Sequence, residues 1–454
     1  MILLPLAVGR NPKSRRFYGF LLIFTIFLSF EPGALSESFT FSTPAGSPGQ
    51  KPSIGTTGDG TNNGARFKAV SGLCVDAGTN VYVTDAHAVR KMSRTGTNWV
   101  VTTLAGNIDV QGPQDGTNAF ASFNNPQGVA VDSSSVLFVA DTYNHTIRRI
   151  TNSGTNWSVI TIAGLALTSG INDGSNNFAR FNHPFGISVD STGTLFVTDS
   201  ENQTIRKIVL QGTNWAVTTV AGAAGITGNN NGTNNAARFN GPIGITVDNL
   251  GNFYTADSNN HTIRKGSPSG TNWVISTIVG LAGVPGSNDG TNANARFSFP
   301  QGLAIDSSGN LYVSESGNNT IRKIRQIGTN YVVNTLGGLA GAAPGSANGT
   351  GAAARFNDPY GLGIISGTLF VADSMNDTIR SGQVAALLEY RLSGNKFVAS
   401  WPVALAAGGY VSESSVSLGG VWTAQSAFVV TNGDTCFLTN TATIGNSFYR
   451  LRKP

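Results

Sequence analysis

Cysteine and charge are both scarce in this chain of 454 residues. Two cysteines exclude a disulfide scaffold and any cysteine-rich zinc module. Charged residues make up 12%, too few for long charged helices of the coiled-coil kind. Long apolar runs are scarce as well; one occurs, so a multispan membrane protein is excluded. Glycine, in contrast, is abundant, with 57 residues where an ordinary share is about 7%. Hydrophobic residues at 40% suffice for a large core.

The one apolar run, Phe17 to Phe30, follows Arg10, Lys13, Arg15 and Arg16. Its 14 residues fall short of the ~20 that a helix needs to span a bilayer. Basic, then apolar, then small residues at Ala34 and Ser36 is the pattern of an export signal. We expect residues 1–36 to be that signal, cleaved after Ser36, leaving no membrane span. The product is then secreted, periplasmic or held at the cell surface. The formal charge of +5 shrinks accordingly, because residues 37–454 hold 25 basic and 23 acidic groups. That near balance argues against a nucleic-acid partner.

Repetition dominates the rest. Phe67, Phe123, Phe181, Phe239, Phe297 and Phe356 close ARF-like elements 56 to 59 residues apart. Arg90, Arg148, Arg206, Arg264, Arg322 and Arg380 recur every 58 residues. GTNW or GTNY starts at Gly96, Gly154, Gly212, Gly270 and Gly328, and a sixth copy is missing. Each unit reads as four short strands, for example at residues 128–132, 137–141, 146–150 and 157–162. Their β-branched and aromatic residues, bounded by Gly, Asn, Asp and Ser turns, favour strands over helices. A single such sheet cannot bury both faces, so six must stack radially as an all-β, six-bladed β-propeller. The sixth unit lacks its fourth strand, and residues 38–46 align with a fourth strand such as 100–106. The N-terminal strand is therefore expected to close the ring, with the propeller at 37–382. Alternating strands in 383–454 suggest a small C-terminal β-sandwich-like module.

Units such as PQGVAVDSSSVLFVADTYNHTIRRI, Pro126 to Ile150, resemble NHL repeats, in six phased copies over residues 38–382. The resemblance implies a propeller that binds protein, RNA or other ligands, while a minority of related propellers are enzymes. Amidating lyases of similar fold hold zinc with several histidines. Here His87, His145 and His261 occupy one equivalent turn position in different blades, too far apart to share a metal at ~2 Å. Only His183 approaches the central mouth. Sugar-lactone hydrolase propellers use a channel-lining acid with Asn and Asp around a metal. Here the first strands begin through Asn125-Pro126-Gln127, His183-Pro184-Phe185 and Pro359-Tyr360, where Asp358 is the acid.

Residues that recur in phase read first as structure. Asp76, Asp132, Asp190, Asp248 and Asp306 fit Asx turns better than a carboxylate circle around a cation. Asp59, Asp115, Asp173, Asn231, Asp289 and Asn348 alternate acid and amide, which suits a capping or turn role; calcium is the alternative cofactor, none being the first expectation. Arg66, Arg180, Arg238, Arg296 and Arg355 are expected to pair with the repeated acids or to pack on the next blade. Trp99, Trp157, Trp215, Trp273 and Tyr331 are expected between blades, and Cys74 as a buried thiol with no strong case for a bond to Cys436. The functional expectation is a monomeric extracellular binding or scaffolding protein with a protein or glycan ligand. The ligand is placed on the insertion-bearing face at Gln127, His183, Phe185, Asp358 and Tyr360. The alternative is a metal-dependent hydrolase or lyase with its site in the central channel.

Overall fold

The computed structural model describes residues 37–384 throughout and, beyond them, the backbone of short strands between Glu389 and Arg452. The export signal expected in 1–36 lies outside the described residues, as do all side chains of 385–454, Cys436 included. Within that last stretch, Glu389–Ser393, Lys396–Pro402, Thr435–Thr441 and Val429–Asn432 pair as one sheet. Thr423–Ala424, Val411–Ser415 and Phe448–Arg452 pair as another.

Residues 37–384 form a six-bladed β-propeller in which each blade is a twisted antiparallel sheet. Blade 2 serves as the pattern. Gly128–Val131 lies at the axis, followed outwards by Leu137–Asp141, Thr146–Ser153 and Asn156–Ala163. Every residue of Leu137–Asp141 is buried, because neighbouring blades cover both faces of this strand. A fifth strand, Gly116–Thr117, pairs with the outer edge of Asn156–Ala163. The sequence predicts four strands per blade; the fifth spans two residues, too short to carry a periodic signal. It comes from the long insertion and covers an edge that would otherwise be open to another chain.

In blades 1 to 5 the insertion is tied down by one asparagine held at positive φ, a position that Gly351 takes in blade 6. In blade 2 this is Asn118, whose Oδ1 accepts the Trp157 N–H at 2.8 Å. Asn62, Asn176, Asn234 and Asn292 repeat the contact. Each ring at the start of the fourth strand then reaches back to the preceding blade, as predicted. Trp99 meets Phe370 at 5.6 Å, Trp215 meets Phe138 at 5.8 Å and Trp273 meets Phe196 at 5.4 Å, all edge to face.

Ring closure also follows the prediction. Phe39–Ala45 pairs with Thr378–Val384, with Phe39 opposite Val384 and Phe41 opposite Gly382, and so completes blade 6. Phe39 and Phe41 are each 1% exposed. Phe41 fits because Gly337 and Gly382 are bare: a Cβ on either would stand 2.4 Å from its ring. Burying such a ring stabilises the closed form by about 1.5–3 kcal/mol.

One guanidinium is buried in every blade. Arg148 donates to Asp141 at 2.6 Å and to the Ser122 carbonyl at 3.0 Å through Nη1. Its Nη2 reaches the Gln114 carbonyl at 2.8 Å and Asp115 at 2.9 Å, while the group lies over the Phe123 ring. Arg90, Arg206, Arg264, Arg322 and Arg380 repeat the constellation, with Glu315 replacing the inner aspartate in blade 5. A buried charge is tolerable when its donors are met, and here only Nε lacks a partner. Burial pushes the Asp141 and Asp199 carboxyls up to about 6, against the pull of Arg148 and Arg206. The acids and amides of the insertions, Asp59 to Asn348, thus form the outer end of these arginine clusters.

The other arginine series behaves differently from the prediction. Arg66, Arg180, Arg238, Arg296 and Arg355 pair with no acid; each donates to carbonyls of the turn just before it, such as Ala65 and Ala179 at 2.8 Å. The acids are already committed to the inner arginines. The Asx-turn reading fits the hairpins: Asp306 Oδ1 accepts the N–H groups of Ser308 and Asn310 at 3.0 and 2.9 Å. Burial holds the unbonded Cys74 thiol well above its ordinary range.

Candidate binding site at the axial mouth

The first strands converge so closely that the axis is nearly solid. An added Cβ at Gly72, Gly128, Gly186, Gly244, Gly302 or Gly361 would stand 2.1–2.4 Å from a carbonyl oxygen of the next blade. Only glycine permits this approach. One residue deeper, Leu73, Val129, Ile187, Ile245, Leu303 and Leu362 line an axial void of about 60 Å³. The channel wall is therefore backbone and aliphatic side chains, which offers a metal no carboxylate or imidazole. Among the described residues no cluster of three or more His, Cys, Asp or Glu is placed to hold a metal.

One residue shallower, the same strands present Ser71, Gln127, Phe185, Ile243, Gln301 and Tyr360, in ring order. Phe185 and Tyr360 come from opposite blades, and their rings meet across the axis at 5.5 Å. Gln127 and Gln301 come from another opposite pair. Together these four form the floor of a cavity of about 730 Å³ open to solvent.

The wall of this cavity is built by side chains that latch each blade to the next. The Thr142 and Ser200 hydroxyls donate to the carbonyls of Pro184 and Pro242 at 2.8 and 2.6 Å, and Ser374 donates to Val70. A second latch sits at the turn after the second strand. His87, His145 and His261 accept through Nδ1 the backbone N–H of Asn125, His183 and Phe299 at 3.1–3.2 Å. Gln203 and Asn319 do the same for Gly241 and Asp358 at 2.7 and 2.8 Å. The three histidines are thus interblade acceptors, interchangeable with amides, and not a shared metal site. Desolvation lowers the proton affinity of each, which keeps the acceptor nitrogen bare.

The residues that receive this latch are all left-handed: Asn125, His183, Gly241, Phe299 and Asp358 have φ of 49°, 51°, 64°, 48° and 53°. Asparagine, aspartate and glycine adopt this conformation at little cost and histidine more readily than most, whereas for a bulky ring it costs about 1–2 kcal/mol. Blade 5 accepts that cost to display the Phe299 ring at the mouth, where His183 and Asp358 present an imidazole and a carboxylate. Strain of this kind concentrates at functional sites.

All five residues singled out from the sequence, Gln127, His183, Phe185, Asp358 and Tyr360, line the one cavity. The structure adds Phe299, Gln301, Tyr143 and Glu201. Gln301 and Phe299 hold the blade-5 positions of Gln127 and His183, so phased alignment carries their signal. Tyr143 and Glu201 come from the turn after the second strand, and Glu201 makes a second acid in the lining, from the blade opposite that of Asp358. Burial raises the Asp358 carboxyl, and burial with the nearby Asp358 charge and Tyr143 raises the Tyr360 phenol, which stays neutral. Two buried atoms have no hydrogen-bond partner here: His183 Nδ1 and Gln301 Oε1. His183 packs edge to face on Tyr143 at 5.1 Å and on His145 at 4.7 Å.

Comparison with known proteins places these features in a family context. The family described as NHL repeat matches residues 123–150, 181–208, 239–265 and 297–324, the inner three strands of blades 2 to 5. Blade 1 has a turn two residues shorter after its second strand, and blade 6 is assembled from both ends of the propeller. The chain is 31% identical over 312 residues to the protein SUPPRESSOR OF QUENCHING 1, chloroplastic, of Arabidopsis thaliana, covering 64% of this chain and 28% of that protein. A Bacteroides thetaiotaomicron protein of unknown function aligns with a TM-score of 0.58 at 20% identity, over 77% of this chain and 76% of that one. An auxiliary nutrient binding protein of the same organism aligns at 0.56 and 15% identity, over 76% of each chain. Identities this low in the solved structures speak for the fold alone. The chain carries NHL repeats in a six-bladed β-propeller, and it matches little more than a quarter of the length of its plant relative.

Proposed function

We propose that the protein is exported and acts outside the cell as a monomeric binding or scaffolding propeller, its protein or glycan ligand seated in the axial mouth without a cofactor. The observation that carries this reading is the display of His183, Asp358 and the strained Phe299 around a cavity of about 730 Å³. The cavity is large enough for a ligand end, walled by a ring that the latches hold rigid, and floored by aromatic and amide groups. Export is supported by the basic and apolar pattern before Ser36. Among the described residues no helix is long and apolar enough to cross a membrane. The likeness in fold to a protein described as nutrient binding fits the same class of role.

The test is a screen of glycans and peptides against the full chain, followed by titration of Tyr360→Ala and of Leu250→Ser, which lies at an exposed hairpin outside the cavity. Loss of about tenfold in affinity for the mouth variant alone, near 1.4 kcal/mol, is expected. Equal binding by parent and Tyr360→Ala would remove the mouth from consideration.

A further inference from the structure

We infer that the mouth recognises a protonated primary amine, carried by a lysine side chain or an amino sugar; this rests on the reading that the mouth is the binding site. Its lining combines acceptors, carboxylates and aromatic rings, and contains no lysine or arginine. The hydroxyls of Thr142, Ser200 and Ser374 are already committed to carbonyls of the next blade. Two further polar atoms, His183 Nδ1 and Gln301 Oε1, are closed to solvent and without a partner, and they are not counted among the groups a ligand can reach.

Charge separates an amine from a plain hydroxyl. Asp358 and Glu201 both face the cavity, and neither forms an ion pair among the described residues. A sugar hydroxyl leaves the half-buried Asp358 carboxylate without a counter-charge, and an anionic group is repelled by it. An ammonium meets the carboxylate and the rings together. It has three donors, a positive charge for the carboxylates, and attraction to the faces of Tyr143, Phe185, Phe299 or Tyr360. Burial alone raises Asp358, which is the shift that a bound cation relieves.

The experiment uses the full chain and two matched pairs of probes in calorimetry. One pair is the glucosamine hexasaccharide and its fully N-acetylated counterpart; the other is the peptide Gly-Lys-Gly blocked at both termini, by N-acetylation and C-terminal amidation, and the same blocked peptide acetylated at Nζ. Acetylation removes the charge and keeps an N–H. At least one aminated probe is expected to bind about tenfold or more tightly than its acetylated partner, and the pair that responds identifies the source of the amine. Asp358→Asn, which suits the left-handed backbone at φ 53°, should abolish that preference without disturbing the fold. If acetylated and aminated probes bind equally and Tyr360→Ala weakens both, the amine is wrong and the mouth stands. Should the probes bind without any effect of Tyr360→Ala, the mouth falls too. No binding by either aminated probe overturns the inference as well.

Discussion

The arginine layer and the axial mouth lie in the same six blades and obey opposite rules. Around each buried guanidinium the partners hardly vary: an inner acid, an outer acid or amide, two carbonyls (one for Arg90) and a phenylalanine ring. At the mouth, the residue before each inner glycine changes from blade to blade through Ser71, Gln127, Phe185, Ile243, Gln301 and Tyr360. Backbone geometry is equally regular in both places. What recurs is held by packing and electrostatics that every blade needs, and what departs from the pattern is free to serve a ligand. A ring of near-identical units therefore separates its structural from its functional residues by phase alone.

The largest test of that contrast is Arg206→Ala. It strands the fully buried Asp199, and removing one partner of such a pair typically costs about 3–5 kcal/mol. Urea or thermal unfolding at pH 8 measures it, and a cost under about 1 kcal/mol would show that the layer is dispensable. Next comes Gly244→Ala, whose Cβ would stand 2.1 Å from the Gln301 carbonyl. Overpacking of this kind destabilises by about 1–3 kcal/mol and should widen the axis enough to alter binding as well.

The mouth should give the reverse sign. Phe299→Asn places a left-handed-tolerant residue at φ 48° and is expected to stabilise the fold by about 1 kcal/mol while weakening ligand binding. A variant that loses stability and keeps binding would place Phe299 among the structural residues. The smallest effect concerns the histidine latches. Their proton affinity is lowered on folding, so their contribution is present above the ordinary histidine value and is lost as pH falls below it through the lowered folded value. Asp141 and Asp199 act oppositely: raised to about 6, they favour the fold below the ordinary carboxylate range and lose that contribution as pH rises through 6. His145→Gln keeps an acceptor that does not titrate, so its stability relative to the parent should rise as pH drops below about 6.5. An unchanged difference between pH 8 and pH 5.5 would show that this latch does not titrate.

Much of this was legible in the order of residues. The 58-residue period gave away six units, and the missing sixth GTNW marker pointed to the closing strand. The mouth was legible at the start of the first strand, because that strand must lie nearest the axis in any propeller. Phe299 and Gln301 carried the same signal in blade 5 and were passed over for want of a contrast beside them. Tyr143 and Glu201 had no such signal, since how far a turn leans towards the axis depends on blade tilt. The two arginine series were equally periodic, and only packing could say which took the acids and which the carbonyls.

By itself, then, the sequence determined the number of blades, the four longer strands of each and the residues that break the repeat, because period, alternation and turn chemistry are local properties. Tertiary structure decided that the axis is plugged, that Phe185 and Tyr360 meet across it, and that the recurrent histidines join blades. Those outcomes depend on distances between residues some 40 to 180 positions apart, which only closure of the ring brings together.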